Sequence, residues 1–180
     1  MKKIEKDNKD HDMKHDEYFV GKRIYSIPER SDKKSHIELL NTGGYDLITD
    51  EVKLLLSSEN PKNEETVDII LIEFGFADNY EQVIDVVKKS GLEIPQMQDV
   101  LRFGIRYRNF EEELANSSGR YSIIFPHYPI YLRKSDDYLS PRVIEISYDN
   151  YEKSRNLSTF WFGTQWNERR HFAARKPRIK

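Results

Sequence analysis

Apolar positions change their period along the chain. "YFVGKRIYSI", Tyr18 to Ile27, is rich in strand-forming residues and stops at Pro28. "TVDIILIEFGF" is a continuous apolar run with β-branched residues, which predicts a well-buried strand. From Asp78 the period becomes helical. Asp78 and Glu81 have the spacing of a capping box, and Tyr80, Val83, Ile84 and Val87 share one face. Lys88 and Lys89 suit the negative end of that helix, Gly91 supplies a left-handed stop, and Leu92 the apolar contact after it. Pro95 fits the first turn of a second helix, whose stripe is Met97, Val100, Leu101 and Ile105 and which extends toward Leu114. Upstream, "HIELLNTGGYDLITDEVKLLLS" is mixed, with a turn at Gly43-Gly44 and a short helix capped by Thr49.

Beyond "NSSGR" at Asn116 to Arg120 the pattern is one of short strands: "YSIIF", "PIYL", "RVIEISY", "LSTFWF" and "RRHFAA". Polar loops such as "KSDDYLSP" and "DNYEKSRN" separate them. The fold class expected is α+β: a strand and helical-hairpin part followed by a small antiparallel β module. Residues 1–17 read as a disordered polar tail, 18–115 as the α/β part with the hairpin at about 78–114, and 116–180 as the β module with a basic C-terminal tail.

Composition narrows the function classes. Among 180 residues there is no cysteine, which excludes a disulfide scaffold and a cysteine zinc site. A net charge of -2 gives no global attraction to nucleic acid or to anionic membrane. No run approaches the roughly 18 apolar residues of a membrane span, and the lysine-rich start has no apolar stretch behind it, so no signal peptide is expected. The expected location is the cytoplasm, with no membrane partner.

Few residues point to chemistry. There is no Gly-x-Ser-x-Gly elbow, no His-Glu-x-x-His, no P-loop and no dinucleotide fingerprint. His11 and His15 stand four apart, but in a tail that would have to order itself around a metal. His127, between two prolines in "FPHYP", reads as a structural turn residue. Glu111, Glu112 and Glu113 read as a solvated run, and Asp136 and Asp137 as a polar loop. Neither a catalytic set, nor a metal site, nor a cofactor is expected. Two basic groups remain: Arg102, Arg106 and Arg108 on the second helix, and six lysines or arginines without an acid from Arg169 to Lys180. A helix-turn-helix reader would use the first, but a packed helical hairpin with solvated arginines explains them more simply. With the tryptophans nearby, the second group has the composition of a strand-and-stacking surface for nucleic acid.

One combined pattern runs from Gly91 to the end. It comprises "GLEIPQMQDVLRFG", Pro-Ile at 129 and 130, Arg-Val at 142 and 143, "RNLSTFWFGTQW" and the closing "RRHFAARK". This order resembles a family of uncharacterised bacterial proteins of candidate-phylum type. Its last part is similar to C-type-lectin-like domains, particularly those diversified by retroelements. "Trp-Asn-Glu" at 166 to 168 also resembles a calcium element of such lectins, without the companion upstream loop. The resemblance implies that Trp161, Trp166, Arg175 and Lys176 are scaffold. It implies an outward contact set of Ser158, Phe160, Phe162, Thr164, Gln165 and Asn167.

Strand alternation agrees in part, placing Ser158, Phe160 and Phe162 on one face and Leu157, Thr159 and Trp161 on the other. Packing of Phe160 and Phe162 on a second layer is the alternative for those aromatics. The function expected first is non-catalytic recognition of an unknown protein or small ligand through the C-terminal hairpin. The alternative is a nucleic-acid-associated regulatory protein using Arg102, Arg106, Arg169, Arg170, Arg175 and Lys176.

Overall fold

A computed structural model describes residues 18–28, 35–57, 66–74, 79–108, 120–133, 139–161 and 170–177. The elements in order are β1 (Tyr18–Ile27), α1 (His36–Thr42), β2 (Leu47–Ile48), α2 (Asp50–Ser57), β3 (Val67–Phe74), α3 (Tyr80–Lys89), α4 (Met97–Arg106), β4 (Arg120–Arg133), β5 (Leu139–Asp149), β6 (Ser154–Trp161) and β7 (Arg170–Lys176). The class is α+β, as the sequence indicates.

All seven strands form one sheet in the order β1-β3-β7-β4-β5-β6-β2. The β4–β5–β6 meander is antiparallel, but β7 runs parallel to β4, and β2 runs parallel to β6. The sheet is therefore mixed, and it crosses the expected boundary near residue 116, because β3 pairs with β7 from Asp68↔Lys176 to Glu73↔His171.

Alternation along the strands creates two cores. On one face Ile69, Leu71, Ile123, Phe125, Ile144, Ile146, Leu157 and Ala173 meet α1, α2 and α4. On the other, Ile72, Ile124, Val143, Phe160, Phe172 and Ala174 meet Val83 and Val87 of α3. Among the described residues the stack is three-layered, with three helices below the sheet and one above.

Helix ends follow local chemistry. In α3 the cap is Asn79, whose side chain accepts from the Gln82 N–H at 3.0 Å; Asp78 lies outside the described residues. The left-handed stop falls at Gly91 (φ 69°), with the Leu92 N–H donating to the Val87 carbonyl and its side chain joining the upper core. Pro95 precedes the cap of α4, which is Gln96, so it sits outside the first turn. The end of α4 is Arg106, and the expected extension to Leu114 lies beyond the described residues. Helix α2 follows Thr49, whose carbonyl accepts from Val52 and Lys53, but its buried hydroxyl has no hydrogen-bond partner. The carbonyl starts the helix and the side chain does not cap it.

"FPHYP" is not a turn between two strands. β4 runs through it, with a register irregularity between Phe125 and Ile130. Pro126 and Pro129 cannot donate to a ladder, which favours a bulge there. The buried His127 ring fills the break: its Nε2 accepts the Ile144 backbone N–H at 3.1 Å, in place of a strand carbonyl. His127→Ala leaves that N–H unpaired and a void beside it. Denaturant unfolding is expected to show a loss of about 2 kcal/mol or more, whereas a surface turn histidine would give none.

Candidate functional site

The recognition reading centres on β6, which two faces treat differently. Leu157 enters the lower core, while Phe160, 9% exposed, enters the upper one beside Val143. Phe160 is therefore a packing residue, which departs from its expected place in the contact set. The reason is that α3 supplies a second layer over this face. Ser158 is half-buried on the same face, and its hydroxyl donates to Glu145 Oε2 at 3.3 Å. Trp161 departs in the opposite sense. It ends the strand at 43% exposure, although the lectin-like resemblance made it scaffold. Phe162, Thr164, Gln165, Trp166 and Asn167 lie in the β6–β7 connection, outside the described residues, as does Arg169.

The basic residues divide. Arg102 is 4% exposed; its guanidinium donates to the Pro28 carbonyl at 2.6 Å and stands 3.8 Å from Asp99. Arg175, from β7, stands 3.4 Å from the other Asp99 oxygen. Both arginines, expected at phosphates, are instead committed to a buried carboxylate. The cause is the position of α4, buried from Met97 through Gly104 on every side rather than along one stripe. Arg106 and Lys176 are exposed, and Arg170 opens β7 opposite Ser122. Arg108 reaches the Thr42 carbonyl.

Arg155 is a further buried cation that the sequence does not announce. It donates to the Gly43 carbonyl at 2.6 Å and the Gly104 carbonyl at 3.0 Å, and lies 4.4 Å over the Tyr45 ring. Its backbone N–H donates to Asp46 at 2.7 Å. This side chain ties the turn before β2 to α4. Gly104 has no room for a side chain, since a Cβ there would run into the Tyr45 hydroxyl.

Two titratable groups sit where charge is costly. Burial raises the Asp99 carboxyl above its ordinary 3.8, against the Gln96 N–H and the two arginines. His171 pairs its Nε2 with Glu73 at 2.6 Å, and its ring lies 5.0 Å from that of Tyr121. Burial lowers its pKa from 6.5, although Glu73 acts to raise it. With Nε2–H donating to the carboxylate, Nδ1 is a buried lone pair without a partner. Among the described residues no three His, Cys, Asp or Glu side chains converge as a metal site. No helix there is long and apolar enough to cross a membrane.

No family model matches the chain, and comparison with curated proteins and with solved structures finds no match.

The His171 shift fixes a sign. Its folded pKa lies below the unfolded 6.5, so the unfolded chain takes up the proton first on acidification. The stability it contributes is present above pH 6.5 and is lost as pH falls through the folded pKa. Unfolding midpoints measured from pH 7.5 downward are expected to fall for the wild type and to fall less for His171→Gln.

Proposed function

We propose that this chain is a non-catalytic recognition protein whose contact surface forms where β6 runs out at Trp161 and continues into residues 162–169. The observation that carries this is the exposure of Trp161, 43%, at the end of a strand whose preceding aromatic, Phe160, is buried. A large aromatic at the surface beside a polar connection has the composition of an interface anchor. The resemblance of "RNLSTFWFGTQW" to lectin-like domains points to the same hairpin, although it assigns Trp161 itself to the scaffold. The contact set then becomes Trp161 with Phe162, Thr164, Gln165 and Asn167, whereas Ser158 and Phe160 face the α3 side of the sheet. A nucleic-acid reading would have to work without Arg102 and Arg175, which the fold uses internally, and so has less support.

The test replaces Trp161, Phe162 and Gln165 together by alanine and compares affinity capture with the wild type, with folding checked by circular dichroism. Bound partners are expected to be lost from the variant. Trp161→Ala alone should weaken binding by about 2 kcal/mol if it is an anchor, with a much smaller change in stability. Undiminished recovery of every partner by the triple variant overturns the reading.

A further inference from the structure

We infer that His127 is a pH-sensitive latch on the strands that present Trp161: protonating its ring frees β5 from β4 beside Arg142 and shifts Trp161. The Ile144 N–H donates to His127 Nε2 at 3.1 Å. An imidazole nitrogen accepts only through a lone pair, so the neutral ring carries its hydrogen on Nδ1. Protonation puts a second hydrogen on Nε2, where it meets the Ile144 N–H. Two donors then face each other and the bond is lost. A glutamine carbonyl in this place would accept at any pH. The ring is 3% exposed, so a cation left there also forgoes its hydration. Both effects drive a protonated ring out of its place.

The bond stands where the β4–β5 ladder is irregular. The register runs to Phe125↔Ile144 and resumes at Ile130↔Arg142, so Pro126 to Pro129 face Val143 alone. The two prolines have no N–H to give, and the His127 ring is the tie across this gap. On their other side Arg142, Val143 and Ile144 pair with Trp161, Phe160 and Thr159 of β6. Trp161 thus lies directly opposite Arg142, two residues along β5 from the His127 bond. Arg142↔Trp161 is the last described pair of its ladder, and ladder ends open most readily when a neighbouring bond is lost.

The ionisable groups around the latch, among the described residues, come from four elements. On α3 the Tyr80 hydroxyl donates to the His127 carbonyl at 3.3 Å and to the Pro126 carbonyl at 3.5 Å. On β5, Arg142 is a like charge to an imidazolium, and Glu145 is turned to Ser158 of β6. On α4, which packs on β4 and β5, Asp99 and Arg102 are turned to each other and Arg106 is exposed. On β7, Arg170 and His171 stand opposite Ser122 and Ile123, and His171 is turned to Glu73. The sign follows from the bond. The latched form needs neutral His127, so it prevails at higher pH and is released as the ring takes up a proton. Proton and partner then oppose each other at Trp161. The latch rests on the recognition reading for its biological meaning, but uses no residue of the 162–169 connection.

The experiment follows the isotope-labelled full chain, without a partner, by NMR from about pH 8 to about pH 5, where imidazoles ordinarily titrate. Ring correlations report the tautomer of each histidine. The indole N–H signal reports Trp161, assigned with Trp161→Phe. At the upper end His127 is expected in its Nδ1–H form. On acidification its ring, the Ile144 amide and the Trp161 indole should shift with one shared midpoint. The amides of Tyr25 and Ile27, far across the sheet, should stay in place. His127→Gln, which keeps an acceptor that cannot be protonated, should abolish the Trp161 response and leave the titration of His171. If that variant does not fold, the shared midpoint in the wild type still decides. An Nε2–H tautomer at the upper end overturns the inference. So does a Trp161 indole that does not follow His127, or one that still responds in folded His127→Gln. Unfolding of the whole chain before His127 titrates overturns it as well. None of these outcomes touches recognition itself, because no partner is present. Undiminished capture by the Trp161, Phe162 and Gln165 triple variant overturns that reading and leaves a titrating latch in place.

Discussion

Strand β7 hydrogen-bonds to β3 on one side and to β4 on the other, and among the described residues no other ladder joins the β1–β3 pair to the β4–β5–β6–β2 group. The position admits only a strand buried on both faces. Phe172, Ala173 and Ala174 meet that requirement, and the two alanines let helical layers approach from above and below. Where β4 turns away after Ile124↔Phe172, Glu93 takes over that side of β7 by a pair of 2.8 Å bonds with Arg175. The segment between α3 and α4 thus completes a strand contributed by the far end of the sequence. A sheet whose middle is supplied last depends on contacts distant in sequence, which slows folding relative to a chain of local hairpins.

The charged groups of the lower face are organised around the same strand. Arg175 at one end of β7 meets Asp99, and His171 at the other meets Glu73 and the ring of Tyr121. Between them lies Ala173, fully buried. Burial and pairing work against each other at both ends: the surroundings disfavour charge on Asp99 and on His171, while their partners favour it. Arg102 and Arg175, tied to Asp99 in this way, are poorly placed to bind phosphate.

Much of the helical structure was legible because helix signals are local. Gly91 and Leu92 after Val83, Ile84 and Val87 place a helix, its stop and its buried face within one short stretch. Strand existence was legible too, but not pairing, because an alternating pattern says which face is apolar and not which strand lies alongside. The two misplaced aromatics follow from this. Phe160 was an outward residue only so long as no helix was known to cover its face, and Trp161 was scaffold only by resemblance. Glu145 was hidden for a related reason. Within "RVIEISY" it reads as the solvated side of a half-exposed strand, and only the sheet shows it to be enclosed. His127 was invisible as a ladder substitute because two flanking prolines resemble a turn.

The two margins of the sheet bear on how the chain behaves in a crowd. An unpaired strand edge is a template for foreign strands. On one margin stands β2, two residues long, after which the Thr49 N–H bonds the Leu157 carbonyl and the chain turns into α2. On the other, β1 is longer, but its pairing with β3 is irregular between Val20 and Ile24, where the sequence reads Gly-Lys-Arg. Among the described residues, a brief strand and an interrupted, basic one give an incoming chain little regular edge to extend, which opposes aggregation by strand addition at both borders.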